Sequence, residues 1–324
     1  MIKFVDTYTG QHFHIADDIS CLRTVKGREV PVANGIPRFV RDNNYADNFG
    51  FQWNIFRKTQ LDENLHGINL SLERFFAQTE WSPSELKGKS VLEIGCGAGR
   101  FSQVVLRETE AYLYSIDVSS AVDANKDNNS MYFEQGRLIL AQADVYNLPY
   151  EDNSFDYVFC FGVLQHTPDV AKTVETLVKK ANTGAKIAVD FYPMKGFWTK
   201  IHAKYLLRPL VKRMSNEGLL ALIEKHVDRL ILAHDFLVNH GLGVLTRFLP
   251  LCNLSETLPE GVSQDLRREW AVLDTFDQYS PEYDQPQRIA AVAKMFEESG
   301  ARVEFSGYRA FDGGVSAVVR AVKN

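Results

Sequence analysis

Residues 91–101 read Val-Leu-Glu-Ile-Gly-Cys-Gly-Ala-Gly-Arg-Phe, and few backbone paths accommodate that string. An apolar run ends at Ile94, glycines follow at 95, 97 and 99, and a segment of helical period begins. Glycine permits tight turns and close approach of a ligand to the backbone. A helix starting there offers N–H groups with no intrahelical partner. The spacing is G-x-G-x-G, so the third glycine comes one residue earlier than in the dinucleotide fingerprint. Glu93, just before the loop, would face badly onto a pyrophosphate and suits a ligand bearing an ammonium group. Both features argue against a nicotinamide dinucleotide.

The surrounding chain alternates in the way such a unit requires. SVLEI (90–94), YLYSI (112–116), LILAQ (138–142), DYVFCF (156–161) and KIAVDF (186–191) are short and aliphatic or aromatic, as strands covered on both faces should be. Helices are predicted at about 98–108, 119–135 and 169–180, the last capped by Thr167 with Pro168 at its first position. Asn182-Thr183-Gly184 should then stop it and turn the chain. Strand-helix alternation implies an α/β, doubly wound, mostly parallel sheet. After a helix at Gln287–Ser299, strands 302–311 and 315–322 are separated only by Asp312-Gly313-Gly314 and should close the sheet as an antiparallel hairpin. Five stretches follow: a small β-rich cap (1–42), a helical lead-in (43–88), the α/β core (89–191), a helical lid or insertion (192–287), and the last helix and strands (288–324).

Two further strand ends carry chemistry. Asp117 closes the second strand, 22 residues after Gly95, where a carboxylate can accept from two ribose hydroxyls. Asp144 and Val145 follow the third strand, where a side-chain acceptor beside a backbone N–H can read an adenine edge. Residues 90–191 resemble class I S-adenosylmethionine (SAM)-dependent methyltransferases. The matching motifs are E-I-G-C-G-A-G, the S-I-D acid, A-D-V, and F-D-Y-V-F-C-F-G-V-L-Q-H-T. The resemblance implies a Rossmann-like, seven-stranded fold, SAM as cofactor and S-adenosylhomocysteine as product. It places Gly95, Gly97, Gly99, Phe161 and Gly162 beside the methionine part, Asp117 at the ribose, and Asp144 and Val145 at the adenine, with Glu93, Cys96 and Val118 completing the cofactor set. GIPRFV (35–40), FGFQW (49–53) and LDTFDQYSPEYDQP (273–286) also resemble a group of bacterial methyltransferases of surface-glycan and specialised-metabolite pathways. The first 40 residues resemble small zinc-ribbon-like segments, but lack their cysteine pairs.

Methyl transfer is an in-line displacement needing alignment, dryness and, for a protonated nucleophile, a base. His166, after the fourth strand, is the candidate base. Tyr45 and Trp53 are candidates to face the sulfonium, since cations are attracted to aromatic faces, and Arg57 or Gln60 to reach the SAM carboxylate. Asp277 and Tyr279 in the proline-stiffened stretch 273–286 are candidate catalytic residues. Tyr192, Tyr283 and Asp284 are candidate substrate ligands, with Asp190 and Asp274 nearby.

Residues 195–213 hold six Lys/Arg and no Asp/Glu, with Lys200, Lys204, Arg208 and Lys212 four apart. That pattern reads as an exposed basic stripe, open to a phosphorylated substrate, an anionic membrane surface or RNA. A net charge of −5 over 324 residues argues against general nucleic-acid binding. The four cysteines lie far apart in sequence, no run suits a spanning helix, and the start lacks a signal-peptide pattern, so a cytoplasmic location is expected. No metal is expected: His12, His14 and Cys21 make an incomplete ligand set. The expected acceptor is a small molecule (a sugar, nucleotide-linked sugar or specialised metabolite), with no nucleic acid favoured, on a monomer or homodimer. RNA methylation, and SAM binding without catalysis, are the competing readings.

Overall fold

The computed structural model describes the chain except residues 1, 16–19, 42–43, 66, 195, 197–198, 200 and 259–260. Seven strands form the central sheet: β1 (Ser90–Ile94), β2 (Tyr112–Asp117), β3 (Leu138–Gln142), β4 (Phe155–Cys160), β5 (Ala181–Phe191), β6 (Ala301–Phe311) and β7 (Gly314–Lys323). Their spatial order is β6-β7-β5-β4-β1-β2-β3. Strands β1 to β5 are parallel, and β7 runs antiparallel to both β5 and β6. This is a Rossmann-like methyltransferase sheet ending in an antiparallel hairpin, as the sequence pattern requires.

The helices are α1 (Asp47–Ile55), α2 (Leu70–Thr79), α3 (Arg100–Glu108), α4 (Ala121–Asn128), α5 (Ser130–Glu134), α6 (Val170–Lys180), α7 (Ala203–Val211), α8 (Asn216–Asn239), α9 (Leu254–Thr257), α10 (Gln264–Tyr279) and α11 (Ile289–Glu298). One apolar cluster, including Tyr114, Phe155, Val174 and Phe296, fills the α6/α11 face of the sheet. A second, including Phe75, Trp81, Val105 and Phe159, fills the α2/α3 face. Burial of the strands on both faces explains their continuous apolar runs.

Four local expectations are corrected. The helix expected over 119–135 breaks at Asn129, whose amide turns inward to Asn125 Oδ1 (2.9 Å) and the Gly99 carbonyl. Asp169, not Thr167, caps α6: its Oδ1 accepts from Lys172 N–H (3.0 Å), while the Thr167 hydroxyl donates to the Leu164 carbonyl. Residues 182–185 lie within β5 as a bulge, because Phe155 faces Ala181 and Tyr157 already faces Lys186. Gly184 supplies the positive φ (80°) the bulge requires. Finally, Gln287 stays outside α11 and pairs with β5's exit instead, donating N–H to the Tyr192 carbonyl and accepting from Met194 N–H.

The N-terminal 40 residues form short strands in two small sheets. Arg38 and Phe39 tie this cap to the free edge of β3 through Gln142. Helix α1 packs on α4, while α8 and α10 pack together around Phe276, Leu273 and Val227 in the helical insertion.

Residues 273–286 are not one loop. The stretch through Tyr279 is the end of α10, Ser280 caps it, and residues 281–287 follow as a non-helical strap. The basic stripe is also corrected. Lys204 and Arg208 are 7% and 8% exposed and converge on Asp284, with Lys204 Nζ 2.8 Å from Oδ2. Arg208 donates to the Pro281 and Gln278 carbonyls, and Lys212 to that of Glu282. Lys204 and Arg208 staple the strap to α7 and offer no surface track, while Lys212 stays exposed. Lys200 and Phe197 lie outside the described residues. Among the described residues no helix is long and apolar enough to cross a membrane, and no cluster of His, Cys, Asp and Glu suits a metal.

Candidate active site

The carboxyl ends of β1, β2, β4 and β5 open into one cavity of about 1200 Å³. Helices α1 and α10 and the β6–β7 turn form its other walls. Open α/β sheets bind ligands at this edge because the strand order reverses there and leaves a crevice.

Glycine is required in the first loop. Gly95 and Gly97 line the cavity with φ of 75° and 50°. A Cβ at Gly95 would sit 2.2 Å from Val163 Cγ2, and one at Gly97 would meet the Trp53 indole at 3.1 Å. Gly99 begins α3 with φ 85° and backs onto Asn125, outside the cavity. Cys96 lines the cavity as a buried thiol, its pKa pushed well up by burial.

Asp117 ties this loop to the next. Its Oδ2 accepts from Gly97 N–H (2.9 Å), and its Oδ1 from Ser119 N–H and hydroxyl. Remaining lone pairs lie on the cavity wall beside Val118. Val145 and Phe161 also line the cavity, as do Tyr45 and Trp53 from α1 and its lead-in. Asp144 does not: it caps the following turn through Tyr146 N–H (3.0 Å) and accepts from the Tyr45 hydroxyl (3.4 Å). Burial, then Asp144, raises the Tyr45 pKa, so the phenol stays a donor.

Glu93 lies beneath the loop rather than in it. It is 2% exposed, and Oε2 accepts from the Ser102 and Ser115 hydroxyls. Burial raises its pKa to about 7, against the pull of those two hydroxyls. A folded-state pKa above the ordinary value favours the protonated carboxyl, so its contribution is lost as pH rises through that range. Unfolding in urea should therefore show wild type losing stability between pH 5 and pH 7 relative to Glu93→Gln. A parallel pair of pH profiles would show that Glu93 does not titrate across this window.

His166 sits opposite the glycine loop, 6% exposed. Its Nδ1 lies 3.0 Å from the Tyr283 carbonyl. A carbonyl only accepts, so Nδ1 carries the proton and Nε2 keeps a lone pair. The ring packs on Phe49 (5.0 Å) and against the edge of Tyr192 (5.6 Å). Burial lowers its pKa, against an upward pull from Asp277, and keeps it neutral near pH 7.

The wall opposite the glycine loop is polar. Asp277 Oδ2 accepts from the Tyr192 hydroxyl (3.1 Å) and Oδ1 from Gln52 Nε2 (3.3 Å). Gln60 lines the wall with its amide on Asp274, while Arg57 turns away to Asp127. Tyr279, Tyr283 and Asp284 do not reach the cavity. Tyr279 is buried in the core of the helical insertion, Asp284 belongs to the Lys204/Arg208 staple, and Tyr283 meets His166 through its carbonyl. Arg74, on α2, is a site residue that sequence reasoning missed; it pairs with Asp190 in the wall and lies over Phe101 and Phe311. The turn at Asp312–Gly314, expected only as the hairpin connection, closes the far end. Both are brought to the site by the packing of distant elements.

Residues 92–189 match a family described as a methyltransferase domain. The chain carries a class I SAM-dependent methyltransferase domain. It is 25% identical over 158 residues to a 2-phytyl-1,4-naphtoquinone methyltransferase of Nostoc punctiforme, covering 46% of this chain and 68% of that protein. It is 31% identical over 105 residues to phosphoethanolamine N-methyltransferase 2 of Caenorhabditis elegans, covering 32% of this chain and 24% of that one. A tRNA U34 carboxymethyltransferase of Aliarcobacter butzleri is 27% identical over 111 residues, covering 34% and 36%. The chain thus spans only about a quarter to a third of the latter two proteins. Magnesium protoporphyrin IX methyltransferase from Synechocystis superposes with a TM-score of 0.49 at 14% identity, covering 86% of this chain and 97% of that one. SAM fits the residues present, because the Asp117 carboxylate, which can accept further hydrogen bonds, and the Gly95–Gly97 backbone line the same cavity.

Proposed function

We propose that this protein methylates a small-molecule acceptor inside the cavity, with His166 as general base. The arrangement carrying this reading is a neutral, tautomer-locked His166 on the same cavity as the glycine loop and Asp117. When bound, SAM supplies an electrophilic methyl group on a sulfonium. Asp117 and Val145 would hold the nucleoside end, and the Gly95–Gly97 backbone with Phe161 the methionine end. Trp53 and Tyr45 would cover the loop and exclude water. His166 Nε2 would take the acceptor's proton, and Tyr283 would hold the ring in place for it.

The lid favours a small acceptor, since enclosure by α1 and α10 aligns a small nucleophile and keeps water out. RNA methylation loses its main support, because Lys204 and Arg208 are buried on Asp284.

Replacing His166 by Gln is expected to lower kcat by about 10²–10⁴-fold and leave SAM affinity unchanged. In wild type, kcat/KM should rise with pH on a limb below the usual imidazole range, since burial depresses this pKa. The variant should lack that limb. Transfer of labelled methyl groups and calorimetric SAM titration would measure both, and full turnover in the variant would remove the base.

A further inference from the structure

Two residues in the acceptor wall are left unbalanced by the assignments above. Asp277 is a carboxylate on the cavity surface with no cation in ion-pair contact among the described residues. Both its oxygens accept from neutral donors, Tyr192 and Gln52. Its neighbours differ. Asp190 has Arg74, and Asp284 has Lys204 and Arg208. Gln52 is the second. It is 1% exposed and lines the cavity, and its Oε1 has no hydrogen-bond partner. Asp277 can only accept, so Gln52 must point Nε2 at it and turn Oε1 elsewhere. A half-buried carboxylate without a cation and a buried amide oxygen without a donor are costly unless a ligand supplies them.

We infer that the acceptor is a cationic amine, whose ammonium group is bound by Asp277 and donates to Gln52 Oε1, and that the methyl group is transferred to that nitrogen. This rests on the methyltransferase reading above and names its substrate class. An ammonium provides three donors and one positive charge, which is what this wall lacks. A phosphorylated or nucleotide-linked acceptor would bring anions to a cavity whose described lining holds Asp117, Asp190, Asp274, Asp277 and Asp312 against Arg74 and Arg100. Like charges in so enclosed a site repel strongly.

The step balances. The ammonium gives one proton to His166 Nε2, and the freed amine lone pair forms the new C–N bond to the methyl carbon. The C–S bond breaks with its electron pair kept on sulfur, giving neutral S-adenosylhomocysteine. The product is a methylated ammonium, and His166 returns its proton to water. Tyr192 links the two residues, with its ring against His166 and its hydroxyl on Asp277.

The test uses the full chain and a deproteinised extract of its source cells. Ion exchange at pH 7 divides the extract into cationic, neutral and anionic small molecules. Each fraction is incubated with the protein and methyl-labelled SAM, while calorimetry follows SAM and S-adenosylhomocysteine binding. Label should enter the cationic fraction. Asp277→Asn should raise KM for that fraction about 10–100-fold, the loss of one charge-assisted contact, and leave both calorimetric affinities unchanged. Label confined to the neutral or anionic fractions, or absent from all while SAM binds, overturns the amine. Weaker binding of SAM but not of S-adenosylhomocysteine in Asp277→Asn would assign that carboxylate to the sulfonium and overturn it too. Failure of wild type to bind SAM would instead overturn the methyltransferase reading beneath it.

Discussion

Asp284→Ala is expected to destabilise the protein by about 3–5 kcal/mol, the usual cost of removing one partner from a buried ion pair. Lys204 and Arg208 are each less than a tenth exposed, and both converge on this carboxylate. Without it, two cations remain in a low-dielectric site, Arg208 on the Pro281 and Gln278 carbonyls and Lys204 over the Tyr192 and Tyr205 rings. The loss should also reach catalysis. Asp284 immediately follows Tyr283, whose carbonyl fixes the His166 tautomer. The variant should therefore lose kcat while keeping SAM affinity in conditions where it remains folded. Urea unfolding measures the first effect, and single-turnover transfer the second. The triple variant Asp284→Ala/Lys204→Met/Arg208→Met should recover most of the stability, because apolar replacement of a buried ion cluster is often neutral. A cost below about 1 kcal/mol for the single variant would place it in the range of exposed ion pairs.

Gly95→Ala is the second large effect, acting on the cofactor loop. The added methyl would meet Val163 Cγ2 at 2.2 Å, and φ at this position is 75°. Positive φ costs a non-glycine residue about 1–2 kcal/mol, and overpacking adds about 1–3 kcal/mol. Loop movement relieves the clash only by disturbing the N–H groups of Gly95 and Cys96, which donate to the Ile116 carbonyl, and that of Gly97 on Asp117. SAM affinity should fall by about 100-fold or more, equivalent to roughly 3 kcal/mol. Adding Val163→Ala should return part of it, since only the contact is removed and the φ strain stays. Calorimetric titration of both variants separates the two terms. Equal affinity in the single and double variants would mean that Val163 yields freely and backbone strain alone acts.

Much of this was legible in the chain. Strands β1 to β4 stand within one residue of their apolar runs, because burial on both faces demands continuous apolar sequence. The glycine loop was legible because no other residue adopts those φ values cheaply beside a packed neighbour. Asp117 was legible from its place at a strand end. The errors share one cause. Glu93 was read as facing a ligand, yet the two hydroxyls that receive it come from β2 and α3. The Lys204/Arg208 stripe was read as solvated because helical spacing shows which residues share a face, but not what covers it. Asp284, some 80 residues on, covers that one. Tyr279 shares a helix with Asp277 but faces the core of the helical insertion, while Asp277 faces the cavity.

The sequence by itself determined the α/β alternation, the hairpin that ends the sheet, and the strand-end motifs that mark a SAM-dependent methyltransferase domain. These follow from local rules: side-chain period, glycine conformations and cap chemistry all act within a few residues. Only the tertiary structure decided which of the candidate acids and phenols reach the cavity. It also decided that Tyr283 meets His166 through its backbone, and that Asp277 stands without a cation among the described residues. Those outcomes depend on contacts between α1, α7, α10 and the strap. A charge is neutralised or left open by whatever packs against it, however distant in sequence.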